Sequence, residues 1–253
     1  MMTQNPSSPA PTLKVESPTP EKLKRSFLHR LIREWVMPIG LVVAVMAPIR
    51  ASIADWNDVP SGSMRPTILE GDRIYVNKLA YGLRIPFTTT WITRWDSPRR
   101  GEIVTFASPA DGIRLVKRVV GLPGDKVRME GNHLFINGVA ADYQITDRDA
   151  AAILPNGLRI PVVLAEEHTA GGATHAITLT PNLANPRQTF AEITVPEGMY
   201  FMLGDNRDQS NDSRFIGFVP EESIYGRSGY VALSVDPQGG YSPRWERFFS
   251  EMK

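Results

Sequence analysis

The sequence predicts a mostly β domain preceded by a single N-terminal membrane helix. Three observations carry that reading. One uncharged apolar run lies near the N-terminus, and past residue 55 short alternating runs end repeatedly at Gly, Pro, Asp or Asn. No long amphipathic helical pattern appears until "RWERFFSEM" at 244–252. With 253 residues, 42% hydrophobic and 22% charged, the chain has an ordinary globular composition and room for one large domain or two small ones.

Taken in order, residues 1–21 are rich in Pro, Ser and Thr and nearly free of large apolar side chains, so they are expected to be disordered. Lys22, Lys24, Arg25, Arg30 and Arg33 follow in a basic stretch. "WVMPIGLVVAVMAPI" at 35–49 carries no charge. Fifteen helical residues reach roughly 22 Å, short of a roughly 30 Å hydrocarbon core. Extension to Trp56, with Arg50 snorkelling and Trp35 and Trp56 at the interfaces, makes a span. A buried core helix and a secretory signal cleaved after "SIA" at 52–54 are the other readings. The basic flank favours an uncleaved anchor at 35–54, with residues 1–34 cytoplasmic and everything after residue 55 outside the cytoplasm.

Strand patterns then recur in "RIYVNKLAYG", "GEIVTFASP", "IRLVKRVVGLPGD", "HLFINGVA", "GMYFMLGD" and "GYVALSVD". Between 126 and 194 the periodicity weakens, so this stretch is expected to be an inserted β subdomain between two halves of a core, 55–125 and 195–253. "LRIPFTTTWITRW" at 83–95 is expected to be loop-like and to expose Phe87, Trp91, Ile92 and Trp95. Trp245, Phe248 and Phe249 recur at helical spacing near the C-terminus. Both aromatic groups suit a lipid interface or the underside of a core.

The chemistry is bounded by what is missing. A net charge of +1 gives no global field for nucleic acid, and the absence of cysteine excludes disulfides, thiolate metal sites and a thiol nucleophile. His29, His133, His168 and His175 have no zinc-ligand spacing, so no metal is expected. Three polar clusters stand out: "VPSGSMRPTI" with Ser61 and Ser63, "IRLVKRVVGLPGDKV" with Lys117 and Arg118, and "FMLGDNRDQSNDSRFIGFVP" at 201–220. A serine nucleophile needs a base, and no histidine is near. Lysine serves only if desolvation lowers its pKa by about 3 to 5 units. Lys117 and Arg118 are consecutive in a strand pattern and point to opposite faces, so either Lys117 enters an apolar pocket or it is solvated while Arg118 is paired. Asp205, Asp208 and Asp212 fail the EF-hand template, and "NDS" at 211–213 is a short glycosylation pattern.

The three clusters, in this order after an N-terminal anchor, resemble the type I signal peptidases, membrane-anchored Ser/Lys proteases. The resemblance runs from about residue 55 onward and is loose over 126–194. It implies a signal-peptidase/LexA-like β core, with Ser63 as nucleophile and Lys117 as general base. Ser61 is implied to share the oxyanion hole with the Ser63 N–H. Ser210 would orient the lysine amine, Asp212 and Arg214 would form a supporting ion pair, and Arg118 and Asp205 would be scaffold. Small side chains at substrate positions −1 and −3 are implied, with Pro60, Ile68 and Val116 as pocket candidates. Expected partners are signal-peptide-bearing preproteins and a phospholipid bilayer, with no nucleic acid, no cofactor and a monomeric state, at the outer face of the inner membrane. A peptidase that matures a conjugative pilus protein and a non-catalytic peptide-binding β domain are the alternatives.

Overall fold

The computed structural model describes residues 30–88, 90–153, 157–172, 174–181, 183, 185 and 187–252. The Pro- and Ser-rich segment, Lys22, Lys24, Arg25 and His29 lie outside them. The chain divides into two units, Met1–Ala47 and Pro48–Lys253.

One continuous helix covers Ile32–Ser52, a π-helical turn at Ile32–Val36 leading into α1 (Met37–Ser52). Its 21 residues rise roughly 31 Å, enough to cross a hydrocarbon core. Trp35, Leu41 and Val42 are exposed and none of its most apolar window is buried, so it is not a core helix of this fold. It ends earlier than the sequence suggested. Ser52 is the last helical residue, and Trp56 sits on a strand opposite Tyr75.

Seventeen strands follow among the described residues. In chain order they are β1 (Ala54–Asp58), β2 (Asp72–Asn77), β3 (Gly82–Arg84), β4 (Trp91–Arg94), β5 (Ile103–Ala107), β6 (Arg114–Gly121), β7 (Lys126–Glu130), β8 (His133–Ile136) and β9 (Val139–Ala140). They continue with β10 (Asp142–Ile153), β11 (Arg159–His168), β12 (His175–Leu179), β13 (Phe190–Thr194), β14 (Met199–Leu203), β15 (Val219–Pro220), β16 (Ile224–Asp236) and β17 (Ser242–Pro243), with the short helix α2 (Ser213–Ile216) between β14 and β15. The main sheet runs β1-β2-β16-β5-β6-β14-β15, with β17 added to β16. Every strand from 126 to 194 falls in two further sheets, β13-β7-β8-β9 and β10-β11-β12. Their base has no separate core, because Val127, Met129 and Leu134 pack in one cluster with Val120, Phe201 and Leu203 of the main sheet.

A second cluster joins Val104, Phe106, Val119 and Met202. A third places Met64 and Ile68, from the loop after β1, against Ile74, Ile103, Val231 and Met252. Fully burying such side chains stabilises the fold by about 1.5–3 kcal/mol each.

Two expectations are corrected. Residues 83–95 are not a plain loop: β3 and β4 form a hairpin, and Trp91 lies between Arg84 and Arg94, 4.0 and 5.4 Å from its ring centroid. "RWERFFSEM" is not a helix beyond the single 3₁₀ turn Trp245–Arg247. Phe249 has φ 55° there, a left-handed conformation that interrupts helical winding. The main chain beyond it is tied to β16 instead, through Val231 N–H to Ser250 O and Met252 N–H to Gly229 O. Tertiary pairing overrides the local helical pattern.

Candidate active site

The loop 59–71 hangs between β1 and β2 and is closed at its neck. Val59 N–H donates to Asp72 O (2.9 Å) and Gly71 N–H to Val59 O (3.1 Å). Within it a turn after Ser63 brings Ile68 N–H to Met64 O (2.9 Å), and the apolar pair Met64 and Ile68 anchors the loop by burial. Ser63 stays half-buried and Ser61 exposed, at the mouth of the loop. Among the described residues, neither the Ser63 N–H nor the Ser61 hydroxyl has a hydrogen-bond partner. Both donors are free to meet a developing charge.

Lys117 comes from β6, where it lies opposite Val104 of β5. Its Nζ is 2.6 Å from Ser63 Oγ and 3.0 Å from the Val116 carbonyl. Only 2% of Lys117 is exposed. Burial pushes its pKa down to about 8, against the attraction of Asp212 and Asp205. Those carboxylates pull weakly because each is matched by a guanidinium. Arg214 donates to both oxygens of Asp212 at 2.8 Å, and Arg118 spans Asp205 at 2.8 and 2.7 Å. Desolvation therefore prevails at the lysine. Arg118 is as deeply buried as its neighbour, so neither of the two consecutive cations is solvated.

Asp212 also caps α2 and accepts from Gly204 N–H (3.0 Å), which ties the end of β14 to the start of the helix. Asp205 accepts from Thr67 Oγ1 (2.6 Å) and so reaches back into the serine loop. Burial works to raise the Asp205 pKa, but the charge and hydrogen bonds of Arg118 outweigh it and hold it low. The third aspartate faces elsewhere. Asp208 accepts from Asn132, Gln188 and the Thr180 N–H, so these acids are bound to separate partners and do not converge.

Ser210 is brought to the site but not to the lysine. Its Oγ is buried beside Gly204 with no hydrogen-bond partner among the described residues, and the two bonds of Lys117 Nζ go to Ser63 and Val116. Of the pocket candidates, Val116 packs against the cluster of Met64 and Ile68, Ile68 is fully buried within it, and Pro60 lines a separate cleft beside the loop.

Sequence reasoning missed the residue that grips the loop. Asn206 donates through Nδ2 to Gly62 O (3.0 Å) and through its N–H to Ser63 O (3.1 Å). An Asx side chain in a polar run was the available signal, and it reads equally as a turn. Asn206 is backed in turn by β12: Thr178 N–H donates to Asp205 O (2.9 Å) and Arg207 N–H to Thr178 O (3.0 Å). Arg207, buried, pairs with both oxygens of buried Glu167 on β11. Arg65, which carried no signal in the sequence, clasps Glu70 (2.8 Å from Nε) and donates from Nη1 to Ile153 O on β10 (2.9 Å).

A serine hydroxyl bonded to a desolvated amine is equipped for acyl transfer. Comparison with known proteins shows the family. The family model described as "Signal peptidase, peptidase S26" matches residues 32–233. A signal peptidase I of Pseudomonas aeruginosa is 34% identical over 92% of this chain and 84% of its own length. Those of Pseudomonas fluorescens and Haemophilus influenzae are 35% and 30% identical over 90% and 87% of this chain, and 81% and 76% of their own. A crystal structure of a signal peptidase I from Enterococcus faecalis shares 37% identity over 52% of this chain and 97% of its own, with a TM-score of 0.31. The match over most of the chain settles the family: this chain belongs to the signal peptidases of the peptidase S26 family.

Proposed function

We propose that this chain is a signal peptidase I that cleaves signal peptides from preproteins by a Ser/Lys mechanism. The observation that carries the mechanism is the 2.6 Å separation of Ser63 Oγ from the Nζ of a lysine with almost no access to solvent. With its pKa near 8, about one Lys117 in ten is neutral at pH 7, against about one in 2,500 for a free lysine.

The neutral amine accepts the Ser63 proton as Oγ attacks the scissile carbonyl. The new oxyanion is met by the Ser63 N–H and the Ser61 hydroxyl. Collapse breaks the C–N bond, and the Lys117 ammonium returns its proton to the leaving amine. In the second half Lys117 takes a proton from water, hydroxide attacks the acyl-enzyme, and Ser63 leaves with the proton restored. Asp212–Arg214 and Arg118–Asp205 hold the surrounding main chain, and no cofactor enters these steps. In this reading 126–194 is an insert between the two halves of the core.

The family and the exposed apolar helix support membrane anchoring. The basic flank supports a cytoplasmic N-terminus with the catalytic domain outside. Phe87, Trp95, Trp245 and Phe249 are exposed, and large aromatics of this kind favour the interfacial belt. A variant of the full chain retaining Trp245 alone should be quenched by brominated lipid in vesicles, and absence of quenching removes that patch from the bilayer.

The test of the chemistry uses the purified full-length chain in detergent micelles with a preprotein bearing small residues at −1 and −3. Ser63→Ala and Lys117→Ala should each lower cleavage by about 10³-fold or more. Either variant staying within about tenfold of wild type refutes the mechanism.

A further inference from the structure

A cleft of about 710 Å³ runs beside the serine loop, and neither Lys117 nor Val116 lines it. One wall is formed by Pro60, Arg65 and Leu69, the other by Ala150–Ile153 of β10. Its lining includes Thr178, whose main chain bridges to Asn206. Asn206 in turn holds the Gly62 and Ser63 carbonyls. The cleft is therefore linked through Thr178 and Asn206 to the loop that carries Ser63, although Ser61, Gly62 and Ser63 do not line it.

The β10 wall has the chemistry of an open strand edge. β10 is the outer strand of the order β10-β11-β12, so one of its edges faces no neighbour in that sheet. Ala151 lies opposite Pro161, which has no N–H to offer, and Ile153 lies opposite Arg159. The Ile153 carbonyl is turned outward, where Arg65 Nη1 reaches it at 2.9 Å. The two-residue period of a strand then turns the N–H and C=O of Ala151 to the same outer edge. Three consecutive alanines, Ala150 to Ala152, leave space beside that edge for another main chain.

Resting on the Ser/Lys peptidase reading above, we propose that this cleft binds the segment of the preprotein that follows the scissile bond. That segment lies extended and adds a strand to β10 at Ala151. Of the residues expected for the −1 and −3 pockets, Val116 lies on the lysine side, while Pro60 lines the cleft itself and marks where the two regions meet. A chain passing Ser63 from there leaves on the side of Pro60 and Arg65, where the cleft begins. Recognition through main-chain groups accepts many different mature sequences, as an enzyme acting on many preproteins requires. Leu69, Val162 and Leu164 add apolar surface along the cleft, beside the charges of Arg65, Glu70 and Arg244.

The experiment measures kcat/KM of the full-length chain in detergent micelles on two substrates. Both share the same residues before the bond. One ends two residues after it, and the other continues for about eight. Two added main-chain hydrogen bonds predict about a tenfold preference for the long substrate. Ala151→Pro, which removes the outward N–H, should bring that ratio close to one. Because the variant is compared with itself on two substrates, partial loss of folded enzyme does not change the ratio. A second arm leaves the enzyme intact: N-methyl groups placed singly along the long substrate should slow cleavage at alternate positions only. The proposal is overturned if the long substrate has no advantage, if the advantage survives Ala151→Pro, or if N-methylation has no alternation. Ser63→Ala abolishing cleavage of both substrates keeps the peptidase reading intact whichever of these results appears.

Discussion

Gly204→Ala gives a severe test of how the site is held. Gly204 follows β14 directly, and a Cβ built on it would lie 2.2 Å from Ser210 Oγ, 2.5 Å from Ser210 Cβ and 2.5 Å from the Ser63 carbonyl oxygen. Ordinary contact begins at 3.4 Å, so the Ser63 main chain and the new methyl must part by about 0.9 Å. Neither side can yield freely. Gly204 N–H is fixed to Asp212, and the Ser63 carbonyl is fixed to Asn206. A shift of that size opens the 2.6 Å Ser63–Lys117 bond beyond useful length. Misplacement of a reacting group by about 1 Å costs about 10²-fold in rate. The overpacking itself should destabilise the fold by about 1–3 kcal/mol. The assay is preprotein processing in detergent micelles, with thermal unfolding measured on the same samples. Gly229→Ala is the control, because nothing lies within 4 Å of its Cβ position. If Gly204→Ala keeps activity within about threefold of wild type, the close packing of Gly204, Ser210 and Ser63 does not position the nucleophile.

Four further outcomes follow. In the proposed mechanism Lys117 acts only when neutral, so kcat/KM should rise with pH through a midpoint near 8 and fall about tenfold per unit below it; a flat profile down to pH 5 contradicts a lysine base. The same depressed pKa makes the folded state release the proton first, so the charge penalty is fully present below about pH 8. It disappears as pH rises toward the unfolded value of 10.5, and wild type should gain about 3 kcal/mol relative to Lys117→Met over that range in chemical denaturation. Ser61→Ala should slow cleavage by about 10²–10³-fold while the Ser63–Lys117 bond stays intact, and retention of full rate would remove Ser61 from the oxyanion hole. Arg207→Met leaves Glu167 buried without its guanidinium and should cost about 3–5 kcal/mol, read by urea unfolding. Burial alone would raise the Glu167 pKa, but Arg207 holds it far below the usual range, so Glu167→Gln with Arg207→Met should recover much of that loss.

The residues proposed to do the chemistry were more legible in the sequence than the residues that hold them. Ser63 and Lys117 stand in short patterns whose residue types are hard to explain otherwise, and strands such as β5, β6, β14 and β16 fall on the short apolar runs bounded by Gly, Pro and Asp. Asn206, Thr67 and Arg65 were not legible, because their work depends on which main-chain groups they meet across the fold. Asn206 reaches back 144 positions to Gly62, a separation that no local pattern encodes. The failure at 244–252 has the same origin: the spacing of Trp245, Phe248 and Phe249 is helical, yet pairing with a distant strand decides the conformation. The Ser210–Lys117 bond expected from the resemblance is likewise a matter of side-chain placement. The fold brings Ser210 beside Gly204 and Ser63 without joining it to the amine.

The C-terminal return along β16 has a consequence in time. Arg247 donates to the Thr67 carbonyl at 3.0 Å and pairs with Asp72, while Met252 closes the cluster that contains Met64 and Ile68. The floor beneath Ser63 is thus laid by a residue that leaves the ribosome 180 positions after Thr67. A nascent chain that already carries Ser63, Lys117 and Asp212 still has Ile68 uncovered and the Thr67 carbonyl facing water. Closure of the floor beneath Ser63 therefore waits for residues 247–252 to be made.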